Sequence, residues 1–243
     1  MTISTKQRFY IPAFFLFILL TASALAFAAK PDDAAAGMTK GMSLWQLLSA
    51  GGATMIFLGM VSVAATASVI YHFYYVTPER LTPPEFIENL LVLLEKKENE
   101  KALSVCKTQS NIVSAIAAKG IKKVPKGKAV VEEAVQYEGK EQIERLWQNL
   151  SYLGDMAVIA PMLGLLGTVL GMIEAFNYQA FKAGMVKPLP LAQGLAKAMI
   201  TTAFGLIIAV PILVFYAYFR GRIARITQNT ERAASEIVHS LNK

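Results

Sequence analysis

Thr168 and Thr202 are the residues of this sequence whose type and setting best fit a chemical task. Each stands in a long stretch without Asp, Glu, Lys or Arg, 156–173 for the first and 198–219 for the second. Each also belongs to a run of small residues. Gly164, Thr168, Gly171 and Ala175 fall within about 60° of one another on a helix, and so do Ala198, Thr202, Gly205 and Ala209. Such faces let backbones approach closely, and threonine hydroxyls bond across the contact. Two readings stay open. The stripes are plain helix–helix packing, or their hydroxyls line an otherwise apolar conduit and order water or bind a carboxylate inserted from another chain.

A buried carboxylate would be the natural proton carrier in such a setting, because neutralising it costs less than burying its charge. This chain has none deep in either stretch. Asp155 and Glu174 stand at opposite ends of the first one, as interface residues. If protons cross here, the titrating group is expected to come from a partner. Enzyme signatures are missing: the glycine-rich run 164–171 lacks the Lys-Ser/Thr ending of a phosphate loop. His72 and His239 are far apart in sequence, and Cys106 is the single cysteine, so neither a metal motif nor an intramolecular disulfide is expected. No cofactor is expected.

The elements that must hold these residues are membrane spans. Of the 243 residues, 54% are hydrophobic and 17% charged, and the mean hydropathy is +0.43. Soluble domains carry about 25% charged residues, more evenly dispersed. A third uncharged stretch, Ala53 to Tyr75, supplies 23 residues and about 34 Å of helix, enough to cross a bilayer. Trp45 before it and the cluster Tyr71 to Tyr75 at its end fit aromatic belts. The net charge of +7 is concentrated beside these blocks, which suits membrane orientation better than nucleic-acid binding.

Lys6 and Arg8, an apolar run, and the small-x-small pattern Ala26-Phe27-Ala28 have the layout of a secretory signal peptide cleaved after Ala28. The expected organisation is a signal peptide at 1–28, a periplasmic leader at 29–42, and an amphipathic helix plus first span at 43–76. A cytoplasmic helical region follows at 77–152, then a second span at 153–177, a periplasmic loop at 178–193, a third span at 194–219 and a cytoplasmic C-terminal helix at 220–243. Within the middle region, Thr82-Pro83-Pro84-Glu85 reads as a helix start with Thr82 as its cap. Phe86, Ile87, Leu90, Leu91 and Leu94 then share one face. The run 124–128 marks a turn, and a helical segment with Leu146 and Leu150 leads directly into the second span. About 70 residues are too few for a large separate core, so these helices should extend from the membrane and pack on neighbours. The region 77–150 holds 12 Lys/Arg, and Arg220, Arg222 and Arg225 follow the last span. The positive-inside bias therefore gives an all-α membrane protein with three spans, N-out and C-in.

The strings APMLGLLGTVLGMIEAF (160–176) and GLAKAMITTAFGLIIAVPILVFYAYF (194–219) resemble the paired signature of the ExbB/TolQ/MotA proton-channel family, nearest to ExbB, and SLWQLLSAGGATMIFLGMVSV (43–63) resembles the start of the first ExbB span. The resemblance implies a homo-oligomer, typically a pentamer, set in membrane lipid around the single spanning helices of ExbD- or TolR-like subunits. A partner Asp would take and release protons there, and a TonB-like energy transducer would receive the motion. It implies pore roles for Thr168, in GLLGTV, and for Thr202, in the TAxGL stretch. Pro161 and Pro211 match proline positions that can bend a helix. Lys197 departs from the pattern, which often has Glu there. The implied function is a proton-channel subunit energising TonB-dependent transport, with a TolQ-like role in envelope integrity or a non-conducting scaffold as alternatives.

Overall fold

The computed structural model describes residues 52–109, 111–180 and 188–241, and among them every regular element is helical. The expected signal peptide and leader, Trp45 with its expected amphipathic segment, and residues 181–187 of the expected periplasmic loop lie outside the described residues. The helices are α1 (Ala53–Tyr75), α2 (Pro78–Leu81), α3 (Pro84–Glu95), α4 (Asn99–Thr108), α5 (Ile112–Lys123), α6 (Lys128–Ala180) and α7 (Pro188–Leu241), with a 3-10 turn at Val124–Lys126. Three of them, α1, α6 and α7, are long and apolar enough to cross a membrane. The expected passage from the middle region straight into the second span is one unbroken helix of 53 residues.

Two compact units divide the protein. The first comprises the described residues up to Thr66 together with Gly154–Val214. Its core joins Met55 and Leu58 of α1 to Ala160 of α6 and to Phe204 and Ala209 of α7. Large apolar side chains cover the outside, among them Phe57, Met162, Leu165, Val169, Met199 and Val210, each at least 43% exposed. That inverts a water-soluble arrangement and matches a lipid-facing or subunit-facing surface.

The second unit comprises Ala67–Leu153 and the described residues from Phe215 onward. Phe86, Leu90 and Leu94 of α3 are buried as their spacing requires, and Ile116 of α5, Leu150 of α6 and Ile237 of α7 are fully buried. The segment 77–150 thus gains a core that its own length could not provide, because the C-terminal part of α7 supplies a further apolar face. At the end of α1, Phe73 meets Phe219 edge-on with centroids 5.0 Å apart. Arg222 lies 5.2 Å over the Tyr218 ring and donates to the Val76 carbonyl at 3.1 Å. His72, given no role by the sequence reading, is only 2% exposed here and its Nδ1 donates to the Ser68 carbonyl at 2.7 Å.

Local signals decide the short connections. The expected cap Thr82 does not cap α3: the N-cap is Pro83, and the Thr82 hydroxyl donates back to the Pro78 carbonyl at 3.1 Å. An earlier proline, Pro78, starts the one-turn helix α2, and Thr82 closes that turn instead. Asn111 and Ser114 form a reciprocal capping box on α5, with the Ser114 amide donating to Asn111 Oδ1 at 2.7 Å. The turn expected at 124–128 is present, and Gly127 occupies φ +99°, where a side chain would be strained. Between α3 and α4, Lys97 sits at φ 58°. Its amide donates to the Leu94 carbonyl at 3.0 Å, and the Glu98 amide donates to the Leu93 carbonyl at 3.1 Å. This is the Schellman arrangement, with lysine in the place that glycine usually takes.

Candidate functional site

Within the first unit, α6 and α7 meet along their small residues. On α6 the buried positions are Ala157, Ala160, Gly164, Gly167, Gly171 and Ala175, and on α7 they include Ala198, Thr201, Gly205 and Ala209. Both series step by three and four residues, the period of a continuous helix face. A methyl group on Gly205 would stand 2.8 Å from the Ala160 carbonyl oxygen and 3.4 Å from Pro161 Cα. One on Gly164 would stand 2.9 Å from the Thr201 carbonyl oxygen, and one on Gly171 3.1 Å from Ala198 Cβ. These are close approaches of the two helices that only glycine allows.

The polar centre of this contact is the carbonyl oxygen of Gly164. Thr202 Oγ1 donates to it at 3.1 Å. Thr201 Oγ1 lies 3.2 Å from the same oxygen and 2.7 Å from the Ala198 carbonyl of its own helix. A hydroxyl has one proton, so Thr201 serves one of these acceptors at a time. Thr201 is 1% exposed, whereas Thr202 is half-buried at the rim of the contact.

The structure therefore brings together Gly164, Thr202 and Gly205, and separately Gly171 and Ala198. Ala209 belongs to the apolar core beside them. Thr168 stands apart from that hydroxyl centre: it is half-buried, and its hydroxyl donates to the Leu165 carbonyl of its own helix at 2.7 Å. Pro161 and Pro211 both lie inside their helices. Asp155 and Glu174 are both exposed, as expected of end positions.

Two residues of the contact escaped the sequence reading. Thr201 is one position before the threonine selected there. Gly167, likewise, is one position before Thr168. A methyl group on Gly167 would stand 2.5 Å from Thr201 Oγ1, so this glycine leaves the notch that the Thr201 side group fills. The signal that finds both is the stepping by three or four residues through 160, 164, 167, 171 and through 198, 201, 205, 209.

A family model described as the MotA/TolQ/ExbB proton channel family matches residues 108–232. An ExbB homologue of Methanothermobacter thermautotrophicus, described as a putative biopolymer transport protein, is 26% identical over 179 residues, which is 73% of this chain and 63% of that protein. The biopolymer transport protein exbB1 of Vibrio cholerae is 48% identical over 84 residues, 35% of this chain and 37% of that protein. The Tol-Pal system protein TolQ of Haemophilus influenzae is 32% identical over 103 residues, 42% of this chain and 44% of that protein. Each of these matches spans less than two thirds of the relative's own length.

Proposed function

The protein belongs to the MotA/TolQ/ExbB proton channel family, and from that premise we propose that it is the ExbB-like subunit of an inner-membrane motor. In this reading it conducts protons down their gradient together with a partner and energises TonB-dependent transport across the outer membrane. The observation that carries it is the hydroxyl of Thr202, set at the rim of a contact between two helices that carry no charge over 156–173 and 198–219. A lone hydroxyl cannot shuttle protons at neutral pH, but it can hydrogen-bond a carboxylate or order a water. The titrating group then belongs to a single-span ExbD- or TolR-like subunit, whose Asp enters a pore formed by several copies of this chain, five in our proposal. A TonB-like protein receives the motion.

The membrane arrangement goes with this assignment. We place a cleaved signal peptide at 1–28, a periplasmic leader at 29–42, an amphipathic helix with the first span at 43–76, further spans at 153–177 and 194–219, a periplasmic loop at 178–193, and cytoplasmic helices at 77–152 and 220–243. Thr168 and Thr202 are assigned to the pore, while Gly164, Gly171, Ala198, Gly205 and Ala209 let α6 and α7 close on one another. Pro161 and Pro211 are assigned to helix bending. A TolQ-like role in envelope integrity shares every one of these assignments and differs in the final receiver.

A non-conducting scaffold is the reading favoured by a different observation, that the glycine face of α6 is largely consumed in packing against α7. The experiment that separates them is proton flux into liposomes holding this protein with its single-span partner. Flux that needs the partner's Asp and falls with Thr202→Val supports the channel. A well-assembled complex without Asp-dependent flux supports the scaffold.

A further inference from the structure

The two hydroxyls that reach the Gly164 carbonyl are not equivalent, and their inequality suggests a device. Thr202 has this oxygen at 3.1 Å and stands at the rim. Thr201 is sealed, with 1% of its surface exposed, and has two acceptors within reach, the Ala198 carbonyl at 2.7 Å and the Gly164 carbonyl at 3.2 Å. We propose that Thr201 is a positioning residue that takes over the Gly164 carbonyl whenever Thr202 turns its hydroxyl toward the pore. This rests on the assignment of Thr202 to a proton pathway.

The exchange needs one rotation about the Cβ–Oγ1 bond of each threonine and no backbone movement. In one arrangement Thr201 donates to Ala198 and Thr202 donates to Gly164. In the other, Thr201 donates to Gly164 and the Thr202 proton is available to a water or to a carboxylate. The Ala198 carbonyl loses only an extra donor, since it lies inside α7 and its regular acceptor role in the helix remains. The Gly164 carbonyl also keeps its regular helix bond, and the hydroxyl bond that joins α7 to it is kept in both arrangements. Gly167 supports the arrangement, because a methyl group there would stand 2.5 Å from Thr201 Oγ1 and displace the hydroxyl. Thr201 is sealed at 1% exposure, so its effect on conduction passes through Thr202.

Valine and serine separate this role from packing. Thr201→Val keeps the branched shape and loses the donor; Thr201→Ser keeps the donor and loses the methyl. The complex with the single-span partner is reconstituted, its assembly is checked by native mass spectrometry, and proton flux is measured for both variants beside Thr202→Val. The expected result is about fivefold lower flux for Thr201→Val, near-normal flux for Thr201→Ser, and loss of flux for Thr202→Val. Normal flux in Thr201→Val, or a defect confined to Thr201→Ser, overturns the exchange and leaves the pore assignment standing. Normal flux in Thr202→Val overturns the pore assignment itself. A second measurement is independent of flux: thermal stability of the two valine variants and of their combination. Either hydroxyl alone should keep the bond from α7 to the Gly164 carbonyl, so the double variant should lose more than the sum of the single ones. Additive losses, or a Thr201→Val protein that does not fold, contradict the sharing.

Discussion

A methyl group on Gly205 would stand 2.8 Å from the carbonyl oxygen of Ala160, an approach between the backbones of α7 and α6. Backbone at such a contact cannot swing aside as a flexible side group does, so relief requires the two helices to separate. Gly59 on α1 is the counterexample, with no atom within 4 Å of where its methyl group would be. Gly205→Ala should therefore destabilise the protein by about 1–3 kcal/mol, the usual range for forcing extra atoms into a packed contact. Gly59→Ala should be neutral or slightly stabilising, since alanine is the better helix former. Thermal unfolding in detergent, compared between the two variants, checks the contrast.

Lys97 offers a prediction of the opposite sign. It holds φ 58° at the end of α3, a conformation that costs most residues about 1–2 kcal/mol and glycine almost nothing. Lys97→Gly should stabilise the protein by about 0.5–1 kcal/mol after the greater freedom of glycine in the unfolded state is subtracted. Thermal or denaturant midpoints of the second unit, followed by circular dichroism, read the change.

Burial pushes the Cys106 thiol up from 9.0 to about 11. At pH 8 the thiolate is scarce in the folded protein and more abundant in the unfolded one. Iodoacetamide should label the native protein much more slowly than the denatured protein. The linked effect on stability has a defined sign. Below pH 9 both states keep the proton and the thiol's contribution is fully present. Between about 9 and 11 the unfolded state releases the proton first, so stability falls as pH rises through that window. A Cys106→Ala comparison over pH 8 to 11 isolates this contribution.

The spans were legible because a bilayer demands long uncharged helices, and residues 53–75, 156–173 and 198–219 carry no charge at all. The hydrophobic face of α3 was legible for a similar reason, since Phe86, Leu90 and Leu94 repeat at helical spacing and are buried. The hydroxyl centre was less so. Adjacent residues are only about 100° apart on a helix, and adding Thr201 widens the small-residue stripe from about 60° to about 100°, so periodicity admits Thr201 beside Thr202. The partner helix decides: Gly167 opens a notch for Thr201, and the rim is left to Thr202. The same ambiguity placed Thr168 on the contact face that Gly167 occupies. Thr82 was misread for a local reason, because the proline that captures it lies upstream at Pro78, outside the capping pattern itself.

In the proposed function the hydroxyl of Thr202 serves a proton path completed by a partner's carboxylate. The most direct test is proton flux in liposomes containing the assembled complex, with the partner's Asp intact or replaced by Asn, and with either Thr202 or the Thr202→Val substitution in this subunit. Flux should require the Asp and be lost in Thr202→Val while the complex stays assembled. Undiminished flux through an assembled Thr202→Val complex would contradict it.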